Sequence, residues 1–265
     1  MLELDIVQRL IFVIGHKNNM INTVHLWDCL EVMKSIPDGS IDCIITDPPF
    51  WTTACKWDHV IPFDKMWAEL KRIIKPNGAI VLFGSEPFSS ALRMSNIKQY
   101  KYDWVWEKNR WTGHLNAKIM PLSIYENIIV FGKNKLHYNP QKEKWEPYQR
   151  LNCSRDATNK WCYWAMNKTT DTVNTWDRYP KNILKFPKVE RTLHPTQKPV
   201  ALIEYLIRTY TNEWETVLDF TSGSGTTWIA AQNTNRNYIL IEKDKLYYEI
   251  SKERLLKNKI LLWSI

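Results

Sequence analysis

Glycine is scarce in this chain, at 8 of 265 residues; that is about half of the roughly 7% of an average protein. No apolar stretch reaches the ~18 residues a membrane-spanning helix needs, so the sequence excludes one. The run Ile11-Phe12-Val13-Ile14 is too short for a signal-peptide core, and no small-residue cleavage site follows it. Cys29, Cys43, Cys55, Cys153 and Cys162 are odd in number and include no Cys-x-x-Cys pair. That argues against structural zinc or another metal site, and for a reducing, cytoplasmic compartment. There is no internal repeat.

Positive charge is in excess, with 36 Lys and Arg against 28 Asp and Glu, a net +8. A polyanionic partner is expected. Residues 133–193 hold 13 Lys or Arg and 6 Asp or Glu, so nearly the whole excess lies in one segment. The same segment carries nine aromatics: Tyr138, Trp145, Tyr148, Trp161, Tyr163, Trp164, Trp176, Tyr179 and Phe186. It shows no sustained helical or strand period. Basic residues interleaved with aromatics fit a nucleic-acid surface, where phosphate contacts give affinity and a few side chains read bases. An irregular insertion with a small aromatic core of its own would give the same composition.

Two segments carry chemistry. The apolar run Ile41-Asp42-Cys43-Ile44-Ile45-Thr46 is a short buried strand stopped by Asp47-Pro48-Pro49-Phe50. Proline cannot continue a central ladder, so a carboxylate, a stiff turn and an aromatic ring sit together at the carboxyl end of a strand. In open α/β sheets ligands bind at that edge. Asp47 and the Pro48 carbonyl can accept hydrogen bonds from an exocyclic amine while Phe50 stacks on the ring that bears it. The second segment, Val217-Leu218-Asp219-Phe220-Thr221-Ser222-Gly223-Ser224-Gly225-Thr226-Thr227, runs from a strand through a glycine turn into a helix. Such a turn lets a ligand approach the backbone and meet the helix N-terminus. A further strand, 237–241, ends in Glu242, and an acidic residue there suits ribose hydroxyls.

Apolar spacing along the rest of the chain predicts strands at 23–26, 79–83, 103–107, 127–131 and 216–220. Helices are expected at 30–36, 63–74, 87–96, 200–210, 226–234 and 244–258. Strands 103–107 and 127–131 read as an antiparallel pair. Helix 200–210 should turn Val200, Ile203, Leu206 and Ile207 inward. Alternating strands and helices describe a doubly wound, mostly parallel α/β sheet.

Asp47 to Phe50, the segment Asp219 to Thr227 and His194-Pro195-Thr196-Gln197-Lys198-Pro199 together resemble the beta group of DNA amino-methyltransferases, which use S-adenosylmethionine (SAM). The resemblance spans roughly residues 21–255. It implies a Rossmann-like fold in circularly permuted order, with a catalytic half at 21–132, a target-recognition insertion at 133–193 and a SAM-binding half at 194–265. Residues 1–20 match nothing in the family, and Met20 would be a natural start. The resemblance assigns Asp47, Pro48, Pro49 and Phe50 to catalysis, with Phe in place of the family's Tyr. It gives Asp219, Gly223 and Gly225 to the methionine part of SAM, Glu242 to the ribose and Asp28 to the adenine ring. Thr196 and Lys198 would approach the cofactor carboxylate. The implied partner is double-stranded DNA, no membrane is involved, and members are often homodimers. An aspartate at position 47 favours adenine N6 over cytosine N4 as the target. A catalytically inactive DNA-binding relative is the reading from a different class.

The chain departs from the family's pattern in its 14 tryptophans. Trp27, Trp51, Trp214 and Trp228 stand where members usually have glycine or another small residue, and Trp111 is similar. Trp51 and Trp228 would crowd the cleft, and a tryptophan at a turn needing positive φ would be strained. UGA codons that mean glycine in the source, translated as tryptophan, would produce this pattern.

Overall fold

The computed structural model describes residues 20–50, 59–144, 146, 148–150, 172–174 and 177–262. Strand β1 (Thr23–Leu26) leads to a short helix α1 (Cys29–Met33), which Asp28 caps through its side chain. All six residues of β2 (Ile41–Thr46) are buried, as a strand covered on both faces must be. Helix α2 (Phe63–Ile73), strand β3 (Ile74–Gly84) and helix α3 (Phe88–Ser95) follow, then the long strands β4 (Tyr100–Thr112) and β5 (Ser123–Phe131). After the two-stranded ribbons described below, β10 (Ile183–Lys185), helix α4 (Val200–Tyr210), β11 (Thr216–Asp219), helix α5 (Thr226–Asn233), β12 (Asn237–Glu242) and helix α6 (Lys245–Leu262) complete the series.

Eight strands form one sheet in the order β1-β12-β11-β2-β3-β5-β4-β10. Every neighbouring pair is parallel except those made by β5, which runs against β3 and β4. The order shows the permutation. From β11 the chain winds outward through β12, whereas from β2 it winds the other way through β3. The adjacent strands β11 and β2 therefore flank the switch point, where a crevice opens beyond the carboxyl ends. One face of the sheet packs on α4 and α5, with Leu206, Ile207 and Tyr210 fully buried there. The other packs on α1, α2 and α3 through Val32, Leu70 and Leu92.

The expected elements form, with three informative differences. Strand β3 begins at Ile74 rather than Ala79, because Ile74 pairs with Ile41 across a register shift that passes Pro76-Asn77-Gly78. The strands expected at 103–107 and 127–131 extend to 100–112 and 123–131. In α4 the buried apolar set is Leu202, Ile203, Leu206, Ile207 and Tyr210, and Val200 at the first turn is only half-buried.

Residues 140–181 form a separate compact unit, narrower than the basic segment 133–193. Its described parts are the antiparallel pairs β6 (Glu143–Lys144) with β9 (Asp177–Arg178), and β7 (Tyr148–Arg150) with β8 (Thr172–Asn174). Residues 183–185 leave that segment to join the main sheet beside β4. Among the described residues no helix is long and apolar enough to cross a membrane.

The tryptophans separate into distinct cases. Trp51, like residues 1–19 and most of the aromatics of 133–193, lies outside the described residues. Trp214 sits at φ 68° and is 71% exposed. Left-handed backbone in a bulky residue is the strained geometry expected of a turn built for glycine. Trp111 is exposed on β4 and Trp27 is at the surface. Trp228 corrects an expectation. Its ring is buried in the core on the α4 and α5 face of the sheet and tilts against Tyr238, with centroids 5.5 Å apart. It fills core behind the sheet and does not crowd the cleft.

Candidate active site

The carboxyl ends of β2 and β11 are stitched together by side chains. Asp219, buried at the tip of β11, accepts from Thr46 Oγ1 at 2.6 Å, Thr227 Oγ1 at 2.5 Å and the Thr221 amide at 3.2 Å. Thr46 and Thr221 hydroxyls lie 2.7 Å apart, and Thr221 Oγ1 donates to the Asp47 carbonyl at 3.0 Å. Burial raises the Asp219 pKa, and the two hydroxyls oppose the rise. Asp219 thus braces two strand ends with both oxygens occupied by the chain itself.

The turn after β11 needs its glycines. Gly223 has φ +51° and Gly225 φ +76°, and a Cβ on Gly225 would come within 3.1 Å of Ser251 Cβ. Gly225 caps α5. Arg254 from α6 reaches back to the Ser224 carbonyl at 3.1 Å and Thr226 Oγ1 at 3.2 Å. Glu242, at the tip of β12, accepts from the Gly223 amide at 2.7 Å and the Asp244 amide at 2.8 Å. Burial is the main reason its pKa is raised. Asp28 divides its oxygens between the α1 cap and Lys243, 3.0 Å away.

These groups line a cavity of about 390 Å³, within the size range of small-molecule sites. Its walls include Asp28, Asp47, Pro49, Thr196, Lys198, Asp219, Gly223 and Glu242. Gly225 is one step behind the wall, shaping the turn. His194 and Ser222 also line it. Burial and the nearby Lys198 lower the His194 pKa to about 4, so the ring is neutral near pH 7, and it packs on Tyr247 at 4.1 Å. Ser222 Oγ is buried without a hydrogen-bond partner.

A second cavity, of about 560 Å³, lies beside the first and is lined by Phe50, Lys108, Tyr125, Glu126 and Lys188 among others. Thr196, Gln197 and Lys198 line both. Phe50 stacks on Phe88, with centroids 5.3 Å apart and planes at 30°, so one of its faces is already packed.

Asp47 stands beside this shared wall. Lys198 Nζ donates to Asp47 Oδ2 at 2.5 Å and lies 3.2 Å from Glu126 Oε2. Asp47 Oδ1 is buried with no hydrogen-bond partner. Burial raises the Asp47 pKa most, Lys198 opposes the rise and Glu126 adds to it. The sequence reading puts Lys198 near a cofactor carboxylate; in the structure Lys198 lines the first cavity, and its ammonium meets Asp47 and Glu126. Glu126 escaped notice because a lone charge beside a strand reads as its solvent side. The threonines 46, 221 and 227 carried no motif role, though hydroxyls flanking a strand-end carboxylate were a usable signal.

Comparison with known proteins follows the same lines. The family described as DNA methylase matches residues 41–253. The type II methyltransferase M.HinfI of Haemophilus influenzae is 26% identical over 273 residues, covering 91% of this chain and 70% of that protein. The DNA adenine methyltransferase YhdJ of Escherichia coli K12 is 27% identical, covering 89% and 83%. Among solved structures, the M1.HpyAVI–SAM complex superposes with a TM-score of 0.59 at 27% identity, covering 88% of this chain and 98% of that one.

Proposed function

This chain belongs to the DNA methylase family of N6 and N4 methyltransferases, and on that premise we propose that it methylates adenine N6 in duplex DNA, using SAM. The observation that carries the reading is the bare Oδ1 of Asp47, a buried acceptor beside the wall common to two cavities. The similarity to YhdJ, named for adenine, supports the choice of base. The SAM complex at 27% identity supports the donor.

The first cavity fits SAM by its chemistry. Both Asp28 and Glu242 line it, and there Glu242 would accept from the ribose hydroxyls and Asp28 from the adenine edge. The glycine turn permits close approach, and Ser222 Oγ is an unused polar atom in the same wall. Asp219, Gly223 and Gly225 shape the methionine end. Thr196 would approach the cofactor carboxylate, and Lys198, in the same wall, also pairs with Asp47. SAM supplies a sulfonium-activated methyl group, so the protein has to orient the amine and exclude water.

A base inside a duplex must leave the stack to reach such a site. Phe50 and Tyr125 line the second cavity, which suits a flipped base. Asp47 Oδ1 and the Pro48 carbonyl accept the two amine hydrogens, and Pro49 stiffens the turn that holds them. Accepting both hydrogens favours a pyramidal nitrogen as positive charge develops there. The basic segment 133–193 supplies phosphate contacts and site choice.

The test is to incubate the chain with duplex DNA and SAM, digest the product to nucleosides and identify them by mass spectrometry. N6-methyladenine is expected. N4-methylcytosine would overturn the choice of base, and no methylated nucleoside on DNA of varied sequence would overturn the function.

A further inference from the structure

Four charged side chains of alternating sign run through the interior and end at Asp47. Lys108 Nζ, on β4, lies 3.2 Å from Glu126 Oε1, on β5. Glu126 Oε2 lies 3.2 Å from Lys198 Nζ, which donates to Asp47 Oδ2 at 2.5 Å. Both lysine side chains are at least nine-tenths buried and that of Glu126 is 18% exposed. An ammonium has three donors. Lys198 donates to Asp47 and to the Thr196 carbonyl 3.4 Å away, and its charge lies beside Glu126 Oε2, which accepts no hydrogen bond, and over the Phe83 ring at 5.0 Å.

We infer that Glu126, backed by Lys108, is a positioning residue for methyl transfer: it holds Lys198 so that the ammonium covers Asp47 Oδ2 and leaves Oδ1 for the amine. The inference rests on the function proposed above and adds a residue that lies outside its motifs. Buried ion pairs cost desolvation and are weak evidence for stability. A chain of four that ends on one oxygen of the acceptor has a use in orientation. Without the Glu126 charge, Lys198 would be drawn wholly onto Asp47. It would neutralise the carboxylate more fully and weaken it as an acceptor.

The groups facing Asp47 are Lys198 ahead of α4, Glu126 on β5 and Asp219 on β11, with Lys108 on β4 behind Glu126. Of these Glu126 and Asp219 raise its pKa and Lys198 lowers it. Removing the Glu126 charge must therefore move Asp47 ionisation to lower pH.

The experiment compares wild type, Glu126→Gln and Glu126→Asp in the full chain. Three readouts are taken: kcat and SAM KM, the acid limb of the pH–rate profile, and titration of the Asp47 carboxyl by ¹³C NMR without ligand. For Glu126→Gln, kcat should fall roughly ten-fold or more, within the about 10²-fold that an ångström of misplacement can cost, with SAM KM little changed. Its acid limb and its Asp47 titration should both move to lower pH. Glu126→Asp keeps the charge, so its limb should stay while kcat falls less. Wild-type kcat in Glu126→Gln, or a lowered kcat with the limb and titration unmoved, would overturn the inference. If Glu126→Gln does not fold, Glu126→Asp decides, and wild-type kcat there overturns it. A wild-type chain that methylates no DNA defeats the proposed function, while the ligand-free titration still decides whether Glu126 governs Asp47.

Discussion

Two adjacent parallel strands each end in a buried aspartate, and the two are used in opposite ways. At the tip of β11, Asp219 is satisfied by two hydroxyls and a backbone amide. At the tip of β2, Asp47 has a lysine on one oxygen and nothing on the other. Burial raises the pKa of both. The difference is in what opposes that rise: neutral donors that close the group off, or a cation that leaves half of it open. Asp219, with both oxygens filled, braces the two strand ends. A carboxylate with a bare oxygen in the interior is an unsatisfied acceptor costing about 1–3 kcal/mol, and it is retained where an incoming donor needs it.

The sharpest way to break the contrast is Asp47→Ala. Methyl transfer should fall by at least ~10²–10³, with SAM affinity close to wild type and some loss of stability, because the buried Lys198 loses its shortest partner. Turnover near normal on duplex DNA would remove Asp47 from the chemistry.

Asp219→Ala should show the reverse balance. It strands the Thr46 and Thr227 hydroxyls and the Thr221 amide, at about 1–3 kcal/mol for each donor left unpaired. Thermal or urea unfolding should reveal a large loss of stability, with SAM binding weakened as the glycine turn loosens. Unchanged stability would show that the threonines pair with one another instead.

The rate profile distinguishes the same two groups by pH. Asp47 must be ionised to accept the amine, and its pKa is raised, so activity should fall on the acid side at a pH above the ordinary carboxylate value of ~3.9. The stability term has the opposite sign. A carboxylate whose folded pKa is raised binds protons more tightly in the native state. Its contribution is therefore lost as pH rises from the unfolded to the folded value. His194 counters this, because its pKa is lowered to about 4. Its contribution is present above the unfolded value of ~6.5 and is lost as pH falls toward the folded one. In Asp219→Asn the acid limb should move slightly to lower pH, since the Asp219 charge raises Asp47. A limb that vanishes in that variant would assign the titration to the wrong strand tip.

The smallest effect expected is at the turn leading into β11. Trp214→Gly should stabilise the protein by about 1 kcal/mol, since left-handed backbone costs an L-residue roughly 1–2 kcal/mol and glycine loses part of that gain to chain entropy. Equal or lower stability, or a UGG codon at position 214, would end the case for a glycine there.

Much of this was legible in the sequence, for a physical reason. β2, α4 and the glycine turn are local: buried runs, helical spacing and positive φ announce themselves within a dozen residues. The charge chain is not local. Glu126 and Lys198 are brought together only by the pairing of β5 with β3 and by the segment before α4, and nothing near either residue encodes the other. Trp228 misled for a related reason. In Thr226-Thr227-Trp228-Ile229-Ala230-Ala231 no single face is apolar, so the sequence did not say which way the indole would turn.

Thr196, Gln197 and Lys198 line both cavities. If an occupant of one shifts that stretch, it alters the affinity of the other, and thermodynamic linkage makes the effect mutual. Whatever factor donor binding contributes to capture of the base, the captured base must return to the donor. The order in which the two arrive then changes the route and not the final balance, and one short segment sets how strongly each ligand senses the other.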